Sequence, residues 1–440
     1  MKDQKKSIWS WAMYDWANSA FATTVMAGFF PIFFSKYWSA NVANVDTTAR
    51  LGFSNSIASL IVALLAPFLG AIADKGTAKK KFLMTFAFLG VVMTGALFMV
   101  HQGQWQIAAL MYVLATVGFS GANIFYDSLL PGVASEKKID FVSSLGFAMG
   151  YIGGGLLFLV NVMMYLKPEM FGIPSDTMAI RISFLSVAVW WAVFSIPIFL
   201  FVKEPKYEGT VESGLFKAVK AGWLQLVETF KEIRHLKVVG MFLLAYWFYI
   251  DGVDTIIRMA ISIGTALGFP AGALIVALLI TQFVAFFGSL LYSLLAKKIG
   301  AKQSLFVGIA AYSLITMVGF FMSQVWHFYA LAVAIGMFQG GIQAISRSLY
   351  SRIIPENKSA EFYGFFNLLG KFAAVIGPSL MGVVGLLTRN AGDLHIGNLH
   401  LENMGIRFSV LSVLILFIIG GLLLRKVNID EGKEKVKFLK

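Results

Sequence analysis

Cysteine is absent from this chain of 440 residues, and charged residues are scarce, at 13%. Without cysteine there is no disulfide framework, no thiol nucleophile and no cysteine pattern for zinc. An ordinary soluble domain carries about 25% charged residues, whereas 58% of this chain is hydrophobic. The composition therefore predicts a protein that is solvated by lipid.

Sequence motifs for enzymatic chemistry are missing as well. Neither H-E-x-x-H, nor G-x-S-x-G, nor a phosphate-binding glycine loop occurs. The histidines lie in loops or at the edges of hydrophobic stretches, at His101, His235, His327, His395 and His400. We therefore expect no enzymatic activity, no catalytic residue, no bound metal and no cofactor.

Twelve hydrophobic stretches are present, each long enough to cross a hydrocarbon core about 30 Å thick. The first six run approximately over Trp11–Phe34, Phe53–Ile72, Phe82–Val100, Gln106–Asp127, Phe141–Leu166 and Ile182–Val202. The other six run over Val238–Ile263, Gly272–Leu295, Leu305–Met322, Trp326–Ser346, Phe362–Leu387 and Phe408–Leu424. An all-α membrane protein of twelve transmembrane helices is predicted.

The longest polar interruption separates six spans from six. We predict an N-terminal six-helix half at 1–202, a cytoplasmic linker at 203–237, a C-terminal half at 238–426 and a cytoplasmic tail at 427–440. Apolar residues at helical spacing among lysines and arginines predict an amphipathic linker helix on the inner leaflet. The linker residues that form this apolar face are Leu215, Val219, Trp223, Leu226, Phe230 and Ile233.

The net charge of +13 is compatible with nucleic-acid binding until its placement is considered. With a cytoplasmic N-terminus, 28 of the 36 Lys and Arg fall in cytoplasmic segments and two fall inside the membrane. The six external ones are Lys36, Arg50, Lys167, Arg181, Arg389 and Arg407. This positive-inside bias predicts cytoplasmic termini in a bacterial inner membrane. The protein is therefore expected to have the lipid bilayer as its partner. The sequence indicates no nucleic acid and no obligate protein partner.

The two halves show weak self-similarity, which is typical of transporters built from parallel six-helix repeats. At a shift of 220 residues, Asp127-Ser-Leu-Leu in span four matches Arg347-Ser-Leu-Tyr in span ten, and Gly150-Tyr151 matches Gly370-Lys371. The spacing of Asp15 and Asn18 in span one recurs at Asp251 and Asp254 in span seven.

A cytoplasmic turn between spans two and three contains Gly70-Ala-Ile-Ala-Asp74-Lys75-Gly76-Thr-Ala-Lys79-Lys80-Lys81. It resembles the major facilitator signature G-x-L-A-D-[RK]-x-G-[RK]-[RK]. We expect its carboxylate to cap a neighbouring helix N-terminus or to pair with a cation, as a latch. The alternative is a basic loop that only obeys the charge bias. The counterpart from Ser293 to Lys302 keeps the turn but has Lys297 at the Asp position, which weakens the case for a second latch.

Further motifs resemble the autophagy-linked family of vacuolar amino-acid effluxers and its bacterial relatives. They are Trp11-Ala-Met-Tyr-Asp15-Trp-Ala-Asn18-Ser-Ala-Phe21, Phe125-Tyr-Asp-Ser-Leu-Leu-Pro131, Ser346-Arg-Ser348, Glu361-Phe-Tyr-Gly-Phe-Phe-Asn367-Leu-Leu-Gly370-Lys371 and Gly377-Pro378. The resemblance implies the major facilitator fold and, for fungal members, release of amino acids from the vacuole. Because bacteria have no vacuole, the substrate of the fungal members cannot be assigned directly to this chain.

Charges inside the membrane are the strongest site evidence, because burying one costs a few kcal/mol unless it is paired or hydrated. Asp251, Asp254 and Arg258 recur on one face of span seven, and the last two are spaced to pair. Lys371 lies in span eleven, one turn from Asn367. These residues are predicted to bind substrate or to couple transport to protons. A structural salt bridge is the alternative.

The other polar residues at membrane depth are assigned to substrate binding, to gating or to packing. Asp15 and Asn18 could contact the substrate or hold span one against a neighbour, and Asp127 and Arg347 are predicted to gate or to support the structure. For Asn123, Gln282, Gln339 and Gln343, interhelical hydrogen bonds are the usual role.

The sequence therefore predicts alternating-access transport of a small solute. Carboxylates together with a lysine suit a zwitterion such as an amino acid, and protons are a candidate coupling ion. The alternatives are transport of sugars, organic anions or drugs with the same fold, and a lipid-handling membrane protein.

Overall fold

The computed structural model describes the backbone of residues 2–40, 44–76, 78–204, 237–392, 394–396 and 399–437. The side chains at 44–45, 48–49, 63, 75–76, 262, 266, 271, 371–375, 394–396, 399–401 and 437 lie outside this description. The predicted amphipathic linker helix also lies outside it, because it falls within residues 205–236.

Twelve long helices follow the twelve predicted spans in the described part of the chain. The first six are α1 (Lys5–Trp38), α2 (Asn44–Gly76), α3 (Lys79–Ala96), α4 (Trp105–Val133), α5 (Ile139–Leu166) and α6 (Asp176–Phe201). The other six are α7 (Lys237–Ala266), α8 (Ala271–Ile299), α9 (Ala301–Phe320), α10 (Val325–Arg352), α11 (Ser359–Leu387) and α12 (Met404–Arg425). A short helix, α13 (Ile429–Lys437), follows them.

Within the described ranges, eleven helices are long and apolar enough to cross a membrane. The twelfth, α11, contributes a shorter apolar stretch, Ile376–Leu387. Helix α1 becomes π-helical over Phe21–Phe29 and again over Phe34–Trp38. The predicted helical architecture is confirmed, with one departure from all-α structure: β1 (Leu394–Ile396) and β2 (Leu399–Leu401) form an antiparallel pair between α11 and α12.

The chain divides into two compact units. Unit 1 comprises Met1–Phe230 together with Pro355–Leu368, so the beginning of α11 belongs to it. Its core is rich in fully buried aromatic rings, such as Trp11, Trp38 and Trp191. Unit 2 comprises Lys231–Ile354 and Leu369–Lys440, and Tyr249, Tyr312 and Tyr350 are buried in it.

Basic side chains join α3 and α6 at both ends in unit 1. Lys80, in the first turn of α3, donates to the carbonyl oxygens of Phe199 (2.7 Å) and Val202 (2.8 Å) at the end of α6. Arg181, near the start of α6, donates to the carbonyl of Phe98, just after α3, at 2.6 and 2.8 Å. These cations satisfy C-terminal carbonyl groups that have no partner within their own helix.

The same reciprocal arrangement joins α9 and α12 in unit 2. Lys302 donates to the carbonyls of Arg425 (3.0 Å) and Val427 (2.6 Å). Arg407 donates to the carbonyls of Phe320 (2.5 Å) and Met322 (2.8 Å) at the other end. Arg181 and Arg407, two of the arginines that the sequence assigns to external loops, thus hold helix ends together.

We expect Arg407→Gln to lower the unfolding temperature of the purified protein clearly. Arg407 is 4% exposed, and hydrogen bonds made by a charged donor contribute about 1.5–3 kcal/mol each. Arg389→Gln is the control, because the side chain of Arg389 is exposed. Equal unfolding temperatures for the two variants would show that the Arg407 contacts do not stabilise unit 2.

Candidate functional site

The carboxylate of Asp74, at the end of α2, caps the N-terminus of α11 within unit 1. Its Oδ1 accepts the N–H of Ala360 (3.1 Å), and its Oδ2 accepts the N–H of Glu361 (2.9 Å). Lys79 Nζ lies 2.8 Å from Asp74 Oδ1, and both side chains are less than 10% exposed. Both contacts that the signature motif led us to expect are therefore present: the helix cap and the ion pair.

The ion pair extends into a chain of contacts across four helices. Lys79 Nζ donates to Ser359 Oγ (2.7 Å), and Ser359 Oγ donates to the carbonyl of Ser128 in α4 (3.0 Å). We refer to Asp74, Lys79, Ser128 and Ser359 as the latch. The signature motif identified its first two members. Ser128 stands in the repeated motif Asp127-Ser-Leu-Leu, but no contact was predicted for it or for Ser359.

Gly70 allows α2 and α11 to approach each other closely at the latch. A Cβ atom on Gly70 would overlap the carbonyl oxygen of Ala360 and lie 2.7 Å from the Cα of Glu361. A small residue at this place is therefore required for the Asp74 cap. For Lys75 and Gly76, which were also predicted to take part in gating, only the backbone at the end of α2 is described.

A second contact between α4 and α11 lies beside the latch. The amide Nδ2 of Asn367 donates to Asp127 Oδ2 at 3.3 Å and to the carbonyl of Tyr363 at 3.0 Å. Helical spacing had grouped Asn367 with Lys371, and the internal repeat had matched Asp127 with Arg347. In the structure, Asn367 and Asp127 are brought together. Arg347 lies in α10 of unit 2 and is 3% exposed.

Asp15 and Asn18 connect α1 to α4. The hydroxyl of Tyr126 donates to Asp15 Oδ2 (2.8 Å), and the amide of Asn18 donates to Asn123 Oδ1 (2.5 Å). The ring of Trp11 stacks on that of Tyr126 at a centroid distance of 4.3 Å. Of the two roles considered for Asp15 and Asn18, these contacts support the one in which they hold span one against a neighbour.

Asp251 lies midway along α7 and is fully buried in unit 2. Its two carboxylate oxygens accept the N–H of Gly377 in α11, at 3.0 and 3.1 Å. The hydroxyl of Thr255 donates to Oδ1 at 3.2 Å. The carboxylate therefore faces the backbone of α11, next to the break that Pro378 makes in the hydrogen-bonding pattern of that helix. The pair Gly377-Pro378 was noted in the sequence only as part of the family resemblance, and its contact with Asp251 was not predicted.

The other charged residues of α7 are more accessible. Asp254 is half-buried, and Arg258 is exposed. Arg258 stands eight residues before the end of α7, about 12 Å along the helix axis. An accessible guanidinium inside a membrane span needs water or a polar partner. The side chain of Lys371 lies outside the described residues, so its predicted role stays a prediction.

The loop that corresponds to the latch in the second half has a different structure. Gly300, with φ +90°, makes the expected tight turn between α8 and α9. Lys297, at the position that corresponds to Asp74, is exposed together with Lys298. Lys302, in the first turn of α9, caps the end of α12, and Lys297 stands where the latch has its carboxylate.

We expect Gly377→Ala to destabilise unit 2. A Cβ atom at this position would overlap Thr255 Oγ1 and lie 2.8 Å from Asp251 Oδ1, and such overpacking costs about 1–3 kcal/mol. Adding Thr255→Ala should recover part of the lost unfolding temperature. Gly382→Ala is the control, since nothing lies within 4 Å of its added Cβ. A loss as large in Gly382→Ala would mean that the close contact is not the cause.

Comparison with protein families relates the chain to known transporters. It matches the family described as vacuole effluxer Atg22 like over residues 3–141 and 135–437. An uncharacterized MFS-type transporter of Bacillus subtilis, YxiO, is 38% identical over 422 residues, which cover 96% of this chain and 94% of the relative. Autophagy-related protein 22 of Saccharomyces cerevisiae is 23% identical, over 89% of this chain and 88% of the fungal protein.

Solved structures confirm the major facilitator fold. The proton:xylose symporter XylE superposes with a TM-score of 0.68 at 14% identity, over 99% of this chain and 97% of the symporter. A bacterial homologue of the iron transporter ferroportin superposes with a TM-score of 0.64 at 12% identity, over 97% and 99% of the two chains. At these identities the likeness shows the fold alone.

Proposed function

Because the chain belongs to the family of vacuole effluxer Atg22-like proteins, we propose that it moves amino acids or related zwitterions across a bacterial plasma membrane. The chain is a multi-pass membrane transporter of the major facilitator fold. The observation that carries the mechanism is the cap that Asp74 places on α11.

The latch acts as a gate in alternating access. Its contacts hold the beginning of α11 against α2, α3 and α4, and Asp127 with Asn367 adds a bond beside it. When the beginning of α11 leaves this position, Asp74 loses its two N–H donors, and these donors become available to water. Asp74 and its partners therefore set the balance between two conformations and do not bind the solute.

The charged face of α7 supports a zwitterionic solute. Asp254 offers a carboxylate for an ammonium group, while Arg258 and Lys371 offer cations for a carboxylate. The exposure of Arg258 within a membrane span supports a hydrated surface there. Asp251 is assigned to coupling, because its carboxylate is buried against the backbone of α11.

Proton coupling through Asp251 follows from that contact. An ionised carboxylate accepts the N–H of Gly377 more strongly than a protonated one, because hydrogen bonds to charged groups are the stronger ones. Protonation of Asp251 therefore weakens its hold on α11, the helix whose beginning carries the latch. A proton taken up at Asp251 would in this way favour movement of α11.

Counterflow tests the substrate class. Proteoliposomes are loaded with a pool of unlabelled amino acids, and uptake of each labelled amino acid is followed against protein-free liposomes. We expect transient accumulation of at least one amino acid. If folded protein gives none, while sugars or organic anions do exchange, the zwitterion assignment is wrong.

Cysteine labelling tests the proposed orientation, in which both termini are cytoplasmic. Glu169 and Lys137 are exposed residues that flank opposite ends of α5, and the chain has no cysteine of its own. We expect Glu169→Cys to react with an impermeant maleimide on intact cells, and Lys137→Cys to react only after lysis. The reverse labelling pattern would show that the protein has the opposite orientation in the membrane.

A further inference from the structure

Unit 2 contains a cavity of about 100 Å³ between α7, α8, α9, α10 and α12. Its walls are almost wholly apolar, with Ile257, Leu274, Ile315, Phe328 and Ile335 among them. This cavity is separate from the latch and from the buried Asp251, neither of which lines it.

The amide oxygen Oε1 of Gln339 is a buried side-chain acceptor in these walls without a hydrogen bond among the described residues. Two threonine hydroxyls also line the cavity, but Thr281 donates to the carbonyl of Ala277 (2.9 Å) and Thr316 to that of Tyr312 (2.8 Å). Gln339 is 8% exposed, and its Oε1 has no partner among the residues that the structure describes. A buried acceptor without a donor costs free energy, and each one in a folded protein calls for an explanation.

The corresponding place in unit 1 is filled. By the shift of 220 residues that relates Asp127 to Arg347, Gln339 corresponds to Phe119. The ring of Phe119 packs against Phe21 at 5.4 Å and against Trp191 at 6.2 Å. Phe21 in turn corresponds to Ile257, by the spacing that relates Asp15 to Asp251. Aromatic packing in the first repeat is thus replaced by a cavity and one amide in the second.

The size and polarity of the cavity define its occupant. A buried water needs two to four polar partners, and the cavity offers one free acceptor. An engineered cavity of about 150 Å³ binds benzene, so about 100 Å³ suits a molecule of about four to six non-hydrogen atoms. We propose that this cavity binds a small, mostly apolar molecule with one hydroxyl group, which donates to Gln339 Oε1.

Binding of 3-methylbutan-1-ol to the full-length protein in nanodiscs tests this proposal, with the methyl ether of the same alcohol as a probe that cannot donate. Ligand-observed NMR measures affinity. Gln339→Phe introduces the side chain that the first repeat has at this position. It should fill the cavity and abolish specific binding, and Ile257→Phe should do the same. Gln339→Leu should weaken binding of the alcohol by about three- to tenfold and leave binding of the ether unchanged.

Gln282→Leu is the matched control, because it removes a buried amide from α8 that does not line the cavity. We expect it to bind the alcohol as the unmodified protein does. Alcohol binding that survives both cavity-filling substitutions, or that Gln282→Leu weakens as much as Gln339→Leu does, would overturn the site. If every variant bound the alcohol as the unmodified protein does, the signal would report only partition of the alcohol into lipid, and the proposed site would also be overturned.

Discussion

Replacement of Asp74 by asparagine is expected to slow counterflow by about tenfold or more while changing the dissociation constant of the solute only a few fold. The substitution leaves the Lys79 ammonium, 7% exposed, without its counterion, and breaking a buried pair in this way costs about 3–5 kcal/mol. That cost falls on the conformation in which the latch is closed, so the balance of the transport cycle shifts.

Two further variants separate this account from simple misfolding. Lys79→Met combined with Asp74→Asn removes the stranded ammonium and should recover part of the rate. Lys81→Gln removes an exposed charge from the same turn of α3 and should transport normally. If Asp74→Asn instead lost solute affinity while remaining folded, Asp74 would belong to the binding site and not to a gate.

Asp251→Asn is expected to abolish uphill uptake and to leave solute exchange intact. The side chain of asparagine does not take up and release a proton. A proton gradient can therefore no longer drive accumulation of the solute, and the accumulation ratio falls to about one. Exchange of solute for solute needs no release of a proton and should continue. Both are measured in the same proteoliposomes, with and without an imposed pH gradient.

The control for Asp251 is Thr255→Val. It removes the other hydrogen bond to the carboxylate, worth about 0.5–1.5 kcal/mol, but keeps the titratable group and the contact with Gly377. We expect uphill uptake to persist in this variant. Normal uphill uptake in Asp251→Asn would restrict Asp251 to a structural role in unit 2.

The sequence predicted the elements of this fold well because hydrophobic length sets a membrane span directly. The same holds for Asp74: its motif specifies a carboxylate at a helix end, where the free N–H groups of another helix are the natural partner. The helical spans and the local chemistry of a helix end could therefore be predicted from the sequence alone.

Partners across helices could not be predicted in the same way. Asn367 was grouped with Lys371 by helical spacing, yet its amide contacts Asp127, because the beginning of α11 packs in unit 1. Arg407 was counted only as a charge of an external loop, and its contact with the end of α9 was not predicted. Helical periodicity says which face a residue occupies, but the neighbour of that face depends on packing.

Buried polar residues show the same limit. Asn123 does make the interhelical hydrogen bond that was expected of such residues, with Asn18. Gln339 carries the same expectation and lines a cavity instead. The two differ because the space opposite Gln339 is left unfilled, which no single-residue rule reveals.

In the proposed mechanism, transport requires the beginning of α11 to leave its place in unit 1. Lys2 Nζ lies 2.8 Å from Glu356 Oε2, just before α11, and both side chains are partly exposed. The N-terminal segment is itself held at the end of α4, where Asp3 Oδ1 accepts the N–H of Ser135 at 2.9 Å. A link between the two positions would therefore tether the start of α11.

The most direct measurement is counterflow by the variant Lys2→Cys with Glu356→Cys, linked by a short reagent that a reductant cleaves. Because the chain has no other cysteine, the link is unique, and each single-cysteine variant treated alike is the control. We expect the linked protein to be arrested, the single variants to transport, and reduction to restore the linked one. Transport by the linked protein at the rate of the untreated one would contradict the account.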